Sequence, residues 1–236
     1  MLKKILACTL ALFCLTASVG CAKTNSDTAA PAQGTPNNGT DYTVTPDISF
    51  DISGKNIVDL SDGTGSMEYA FDASMSSLAE HASLIVEGEI CNIYYTAVEH
   101  NAWTQMDVRI TSCIAGEYAP GDIISVYTLG GYISMKERFS AAEIQDFYGN
   151  LSEDELGNTW LLDLPEGVAL PEEGQQYLFF LAPSGDYLPD GTYETLLGYA
   201  NSLFTIDDNG YSNEFTDVTF QRDALEQCAQ NENADL

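Results

Sequence analysis

Between residues 83 and 127 the apolar positions recur every second residue. Leu84, Val86, Gly88 and Ile90 share one phase and Glu87 and Glu89 the other, which predicts a strand with one wet face. Gly88 inside that run implies a bend or bulge. The next run repeats the alternation. Thr104, Met106, Val108 and Ile110 face inward, and Gln105, Asp107, Arg109 and Thr111 outward. The polar link Thr96–Ala102 is short, so the two runs predict a hairpin. Gly116–Asp122 is a turn, Ile123–Tyr127 a third strand, and Gly130-Gly131 ends it.

A helical texture flanks and interrupts these strands. Asp72 caps a short helix over Ala73–Ala82, with Met75, Leu78, Ala79 and Ala82 at helical spacing. Ser140-Ala141-Ala142-Glu143 reads as a capping box opening a helix with Ile144, Phe147 and Tyr148 on one side. Ser152–Leu156 reads as a further helical turn. Strands resume at Tyr177–Leu181, apolar on both faces and hence central, then at Tyr193–Tyr199 and Ser202–Ile206. Asp208-Asn209-Gly210 is a tight-turn signal, and a closing helix spans Arg222–Gln230. Three meandering strands, a helical crossover and more strands predict a mainly β chain with a few short helices. The order is that of an OB-like β-barrel, with a two-sheet β-sandwich as the alternative.

The first residues have a different character. Met1-Leu2-Lys3-Lys4 is followed by apolar residues from Ile5 to Phe13 and on to Val19-Gly20-Cys21, the layout of a secretory signal. The apolar stretch is short of the roughly 20 residues a membrane span needs. Ser18-Val19-Gly20-Cys21 resembles a lipobox, with Ser18 departing from the usual Leu. Ile5-Leu6-Ala7-Cys8 fits the local pattern but has no apolar segment before it. The lipobox makes residues 1–20 a lipoprotein signal peptide and Cys21 the lipidation site. Each buried CH₂ of the diacylglycerol contributes about 0.8 kcal/mol, and two chains suffice for stable attachment. The alternative is an ordinary signal cut after Ala17 or Ala22 and a freely secreted product. From Ala22 to about Pro46 the chain is mostly Ala, Thr, Asn, Gly, Pro, Ser and Asp, with almost no large apolar residue. Such a tract cannot offset its ordering entropy, and as a flexible coil it reaches roughly 25–30 Å. The expected organisation is thus a signal (1–20), a lipid-anchored flexible linker (21–47), one globular domain (48–230) and a disordered tail (231–236).

Charge narrows the partners. All 36 acidic residues follow Cys21, against six basic ones, an excess of 30 negative charges. Nucleic-acid binding requires clustered Lys and Arg and is excluded. Anionic headgroups would repel the chain, so the membrane is reached only through lipid on Cys21. The acidity serves solubility outside the cell or the attraction of cations and basic partners.

Candidate chemistry is sparse. Cys91 and Cys113 fall on the polar phase of their strands, and a hairpin centred near Ala102 would set them opposite each other. Cross-strand Cβ atoms lie about 4.5–5.5 Å apart, so a disulfide is expected in an oxidising exterior. The alternative is that Cys91, Cys113 and Cys228 are all unpaired. His81 sits on the short helix and His100 in a loop, and neither belongs to a zinc-ligand spacing. Asp207-Asp208-Asn209-Gly210 fails the calcium-loop pattern. No nucleophile elbow, P-loop or dinucleotide fingerprint is present, so no catalytic residue, metal site or cofactor is assigned. Thirteen tyrosines could furnish a glycan- or peptide-binding platform.

Ser83–Ile90, Ile114-Ala115-Gly116, Gly121–Val126, Gly130-Gly131, and Gly174 with Tyr177–Leu181 together resemble a module of exported Gram-positive lipoproteins. That module is similar in outline to the OB-type barrels of netrin-like and TIMP-like domains. The likeness covers about residues 75–210 and implies fold and location only. The N-terminal Cys-x-Cys with which TIMP-type inhibitors act is absent, and the insert from Tyr132 to Gly174 is wider than a minimal barrel needs. The expectation is a monomeric, non-enzymatic surface lipoprotein binding a cell-envelope component, glycan or exported protein. The alternatives are a carbohydrate-active hydrolase using paired carboxylates and an accessory or sensor subunit of a membrane complex.

Overall fold

The computed structural model describes residues 52–60, 72–165, 167–198, 203–208 and 210–232. Cys21, the signal and the whole of the expected linker lie outside them. The described chain begins with β1 (Asn56–Asp59) and the short helix α1 (Met75–His81). Ser74, not Asp72, caps α1 by accepting from the Ser77 N–H, while the Asp72 carboxylate accepts from the Ser74 N–H at 2.8 Å. Two 15-residue strands follow, β2 (Leu84–Val98) and β3 (Asn101–Ala115), then β4 (Ile123–Leu129) and β5 (Gly131–Ser134). The insert holds α2 (Met135–Arg138), α3 (Ala141–Tyr148), α4 (Glu153–Asn158) and β6 (Thr159–Asp163). The Ser140/Glu143 capping box forms as expected, and Ser152/Glu155 forms a second. The chain continues as β7 (Gln176–Pro183), β8 (Tyr193–Thr195), β9 (Leu203–Asp207), β10 (Gly210–Asn213) and β11 (Val218–Phe220). It closes with α5 (Arg222–Glu232), two residues longer than expected.

The chain is mainly β. The large sheet has the order β11-β10-β9-β7-β2-β3-β4-β8, and β8 also pairs with β7. The path β7-β2-β3-β4-β8 therefore returns to its start through backbone hydrogen bonds, an arrangement compatible with either the barrel or the sandwich expected. Leu84, Val86, Ile90, Met106, Val108, Ile110, Ile124, Val126, Phe179 and Leu181 form one core cluster, with Tyr193 of β8 against it. The inward phase read from the alternation is thus the buried one. The opposite face of β2, β7 and β9 contributes Ile85, Leu178, Phe180 and Phe204 to a second core beneath α1 and α5, which supply Leu78 and Leu225.

The insert builds a separate sheet, β1-β6-β5, in which Asn56 lies in parallel register with Thr159. Ala102, Ile133, Met135, Ile144 and Leu161 form its core. Gly131, at φ 122°, joins this sheet to the larger one. A Cβ there would meet Thr104 Oγ1 at 2.4 Å and the Tyr95 ring at 2.8 Å.

The hairpin is tighter than expected. Val98 pairs with Asn101, so the link Thr96–Ala102 is mostly strand and the turn is only Glu99-His100. Both have positive φ, 50° and 67°, as the right-handed twist of a two-residue turn demands. The His100 Nδ1–Glu137 carbonyl contact at 2.7 Å and the Arg138 guanidinium donating to the His100 carbonyl at 2.9 Å hold it. The register also shifts at Ile85/Val86, Glu87/Gly88 and Ile90/Asn92, the second at the glycine where a bend was expected.

These facts overturn the expected Cys91–Cys113 bridge. Cys113 lies opposite Val86, five residues along β2 from Cys91, which is roughly 16 Å at strand rise. Cys113 packs against the first core and not on the wet phase. Cys91 is the extra residue of a register shift, and both thiols are free, as is Cys228.

Candidate functional site

The second core covers the outer face of the strand circuit on one side only. β2 carries the division. Ile85 and Glu87 lie on the covered part, Asn92 and Tyr94 beyond it. Past the shift at Cys91 the outer residues of β2, β3 and β4 are mostly polar and aromatic, with Ile123 and Leu129 among them, and no helix contributes to a core over them among the described residues.

Register organises these side chains into rows. Tyr94 pairs with Gln105, Gln105 with Tyr127, and Tyr127 with Glu194 of β8. Asn92, Asp107 and Ser125 form the neighbouring row, and Thr96, Trp103 and Leu129 the one on the other side. Strands sit about 4.8 Å apart, so the four-residue row spans roughly 14 Å. Residues two apart along a strand share a face, and the three rows therefore form one surface.

The surface is knitted together by its own donors. Tyr127 Oη donates to Gln105 Oε1 at 2.8 Å, and Gln105 Nε2 donates to Ser125 Oγ at 3.1 Å. Asn92 Nδ2 and Tyr94 Oη both donate to Asp107 Oδ2, at 3.1 and 3.4 Å. Asp107 is 7 % exposed, although the alternation had placed it on the wet face. Glu173 reaches in from the segment before β7 and accepts from the Ile93 N–H at 3.0 Å. From the β7–β8 connection, Tyr187 sets its ring 5.7 Å from that of Trp103 and donates to Glu194 Oε2 at 2.6 Å.

These contacts appear in the tyrosine acidities. Partial burial, then the Asp107 charge, raises the Tyr94 and Tyr127 hydroxyls, with Glu173 adding to the first. Burial followed by the Glu194 hydrogen bond pushes Tyr187 up to about 12. Asp107 and Glu194 bring carboxylates to the rows, and Arg109, two residues along β3 from Asp107, is engaged with Glu89 at 3.5 Å.

A second polar constellation lies on the covered half. Glu87, expected on a wet face, is 5 % exposed because β10 and α5 close over it. Its Oε1 accepts from Tyr211 Oη at 2.5 Å and from the Arg222 guanidinium, which also lies 5.8 Å from the Tyr211 ring centroid. The Glu87 bond raises Arg222, while burial and Glu87 raise Tyr211. A cavity of about 230 Å³ beside this group is lined by Asp207, Asp208, Tyr211, Arg222 and Asp223 among others.

His81 and His100 are exposed, on α1 and in the turn as expected. Among the described residues no group of three or more His, Cys, Asp or Glu side chains could hold a metal ion, and no helix is long and apolar enough to cross a membrane. No family model matches the chain, and no curated protein does.

The rows were not foreseen, because only register aligns Tyr94, Gln105, Tyr127 and Glu194. The available signal was modest: strands whose outward positions include Tyr, Gln, Asn and Trp.

Proposed function

We propose that this chain is a non-enzymatic binding module of the OB type, exported and held at the outer face of a membrane by lipid on Cys21. The outer surface of β2, β3 and β4 is its ligand face. Its ligand is a cell-envelope component or another exported protein. One observation carries the reading: the circuit of strands is covered by helices where its outer residues are apolar, and by none among the described residues where they form aligned, mostly polar and aromatic rows. Aromatic rings with a few convergent polar groups are the usual composition of a recognition surface. The ammonium-poor, strongly acidic sequence argues against anionic lipid or nucleic acid as the ligand.

The test is site-specific photo-crosslinking in intact cells. A benzophenone side chain at Ile123, 56 % exposed on the open face, should give a discrete adduct. The same group at Glu226, exposed on α5, should give none. Equal labelling from both positions, or no adduct from either, would remove the assignment of the ligand face. Mass spectrometry of the mature N-terminal peptide tests the anchor, which predicts a diacylglycerol-modified Cys21.

A further inference from the structure

We infer that residues 184–192, the connection between β7 and β8, form a lid closed over the ligand face, with Tyr187 as its latch. The inference rests on the binding-module reading and adds the movement that uncovers that face.

Burial within the face points to a lid. Tyr127 stands in the middle of its row on the outer phase of β4, yet it is 5 % exposed, with no helix core over it among the described residues. A ring so enclosed cannot meet a ligand until a neighbour moves. Tyr187 is that neighbour. Its hydroxyl donates to Glu194 on β8 at 2.6 Å, while its ring rests 5.7 Å from that of Trp103 on β3. β4 lies between those two strands. The side chain therefore crosses the outer surface of β4 beside Tyr127 and Leu129, the register partners of Glu194 and Trp103.

The connection is built to shift as a unit. Its ends are joined, because the Ser184 N–H donates to the Thr192 carbonyl at 3.1 Å and Thr192 Oγ1 donates to Ser184 Oγ at 2.9 Å. Leu188 is 6 % exposed but lies in none of the three cores of the described residues. A surface loop with joined ends and its own packing is an Ω-loop, and such loops open at far lower cost than core strands. The root of the loop is lightly held. Pro183 carries no N–H for its pairing with Tyr193, and β8 is in register with β4 over two residue pairs.

Gly185 supplies the seat for the latch. A Cβ there would stand 2.5 Å from the Tyr187 ring, so the closed position depends on a residue without a side chain. The φ of Gly185 is not positive, and alanine is tolerated by the backbone itself. Tyr187 is 48 % exposed, and its contact with Trp103 is one that a ligand seated on the indole would replace.

The experiment compares Gly185→Ala, which should unseat the ring without removing any group of the face, with Tyr187→Ala, which deletes the latch. Trp160→Phe leaves Trp103 as the remaining one of two tryptophans. In that background, with the full chain in detergent micelles, acrylamide quenching of Trp103 should rise at least twofold in both variants. In intact cells, the adduct from benzophenone at Ile123 should increase severalfold in both. Unchanged quenching in Gly185→Ala would show that nothing was held shut and would overturn the lid. A more accessible Trp103 with an adduct yield equal to or below that of the parent would also overturn it, since Tyr187 would then belong to the recognition surface, and the binding module would stand. Absence of the adduct from parent and variants alike removes the module itself, and the gate with it.

Discussion

Replacing Arg222 with Ala isolates the energetics of the covered half. Glu87 is 5 % exposed and its Oε1 holds two donors, the Tyr211 hydroxyl and the Arg222 guanidinium. Removing the cation leaves a carboxylate buried with only a phenol for company. Truncating one partner of a buried pair costs about 3–5 kcal/mol. The Arg222 side chain is 44 % exposed, so water partly screens the pair, and about 2–3 kcal/mol is the reasonable loss. For a domain of this size, each kcal/mol shifts the midpoint by about 2–4 °C, so the variant should melt roughly 5–10 °C lower. Arg222 also opens α5 and stacks near Tyr211, so early proteolysis of the C-terminal helix should accompany the loss. The decisive arm is the double variant Glu87→Gln, Arg222→Ala. A neutral amide can still accept from Tyr211 and needs no cation, so it should recover at least half of the lost stability. Thermal melts and urea titrations followed by near-ultraviolet circular dichroism measure both. No loss in Arg222→Ala, or a double variant less stable than the single one, would refute a charge-driven latch.

Alkaline titration should separate the tyrosines. Burial raises Tyr95 and Tyr187 to about 12 and also lifts Tyr193 and Tyr211 above the ordinary phenol value. Because folding favours their neutral forms, the associated stability is complete below about pH 10 and is lost as pH rises through the folded values near 12. Ultraviolet tyrosinate absorbance should therefore show a late phase coinciding with unfolding, and a single phase near pH 10 with the fold intact would contradict it. Gly131→Ala should cost about 2 kcal/mol or more, since φ is 122° and the new methyl would lie 2.4 Å from Thr104 Oγ1 and 2.8 Å from the Tyr95 ring. Chemical denaturation measures the loss, and a stability within 0.5 kcal/mol of the parent, roughly the noise of a neutral surface change, would mean that the two sheets do not meet there as described.

The parts of the fold legible in the sequence are those governed by local period. Met106, Val108 and Ile110 alternate with Gln105, Asp107 and Arg109, and a strand with one buried face follows from that alone. Register does not follow. The hairpin turns at Glu99-His100, a pair without the Gly or Asn that normally advertises positive φ, and α2 supplies the bonds that hold it. Because the turn is centred at Glu99-His100 and not near Ala102, Cys113 falls opposite Val86, and the register shifts between turn and Cys113 cancel, so the cysteines that looked opposed end far apart. The small sheet was hidden for a different reason. Asn56 finds Thr159 more than 100 residues away, a contact with no local trace.

The two buried carboxylates differ in a way that bears on function. Glu87 and Asp107 are almost equally withdrawn from water, at 5 % and 7 % exposure, and each accepts two hydrogen bonds on one oxygen. On the covered half one of Glu87's donors is a guanidinium from the chain's own last helix. On the open half both of Asp107's donors are neutral, and Arg109, two residues along the same strand, is turned to Glu89 instead. Desolvation acts alike on the two carboxylates, and the folded chain answers it with a cation in one place only. With so few basic residues, the chain has little positive charge to spare, and Asp107 is left to a neutral amide and a phenol.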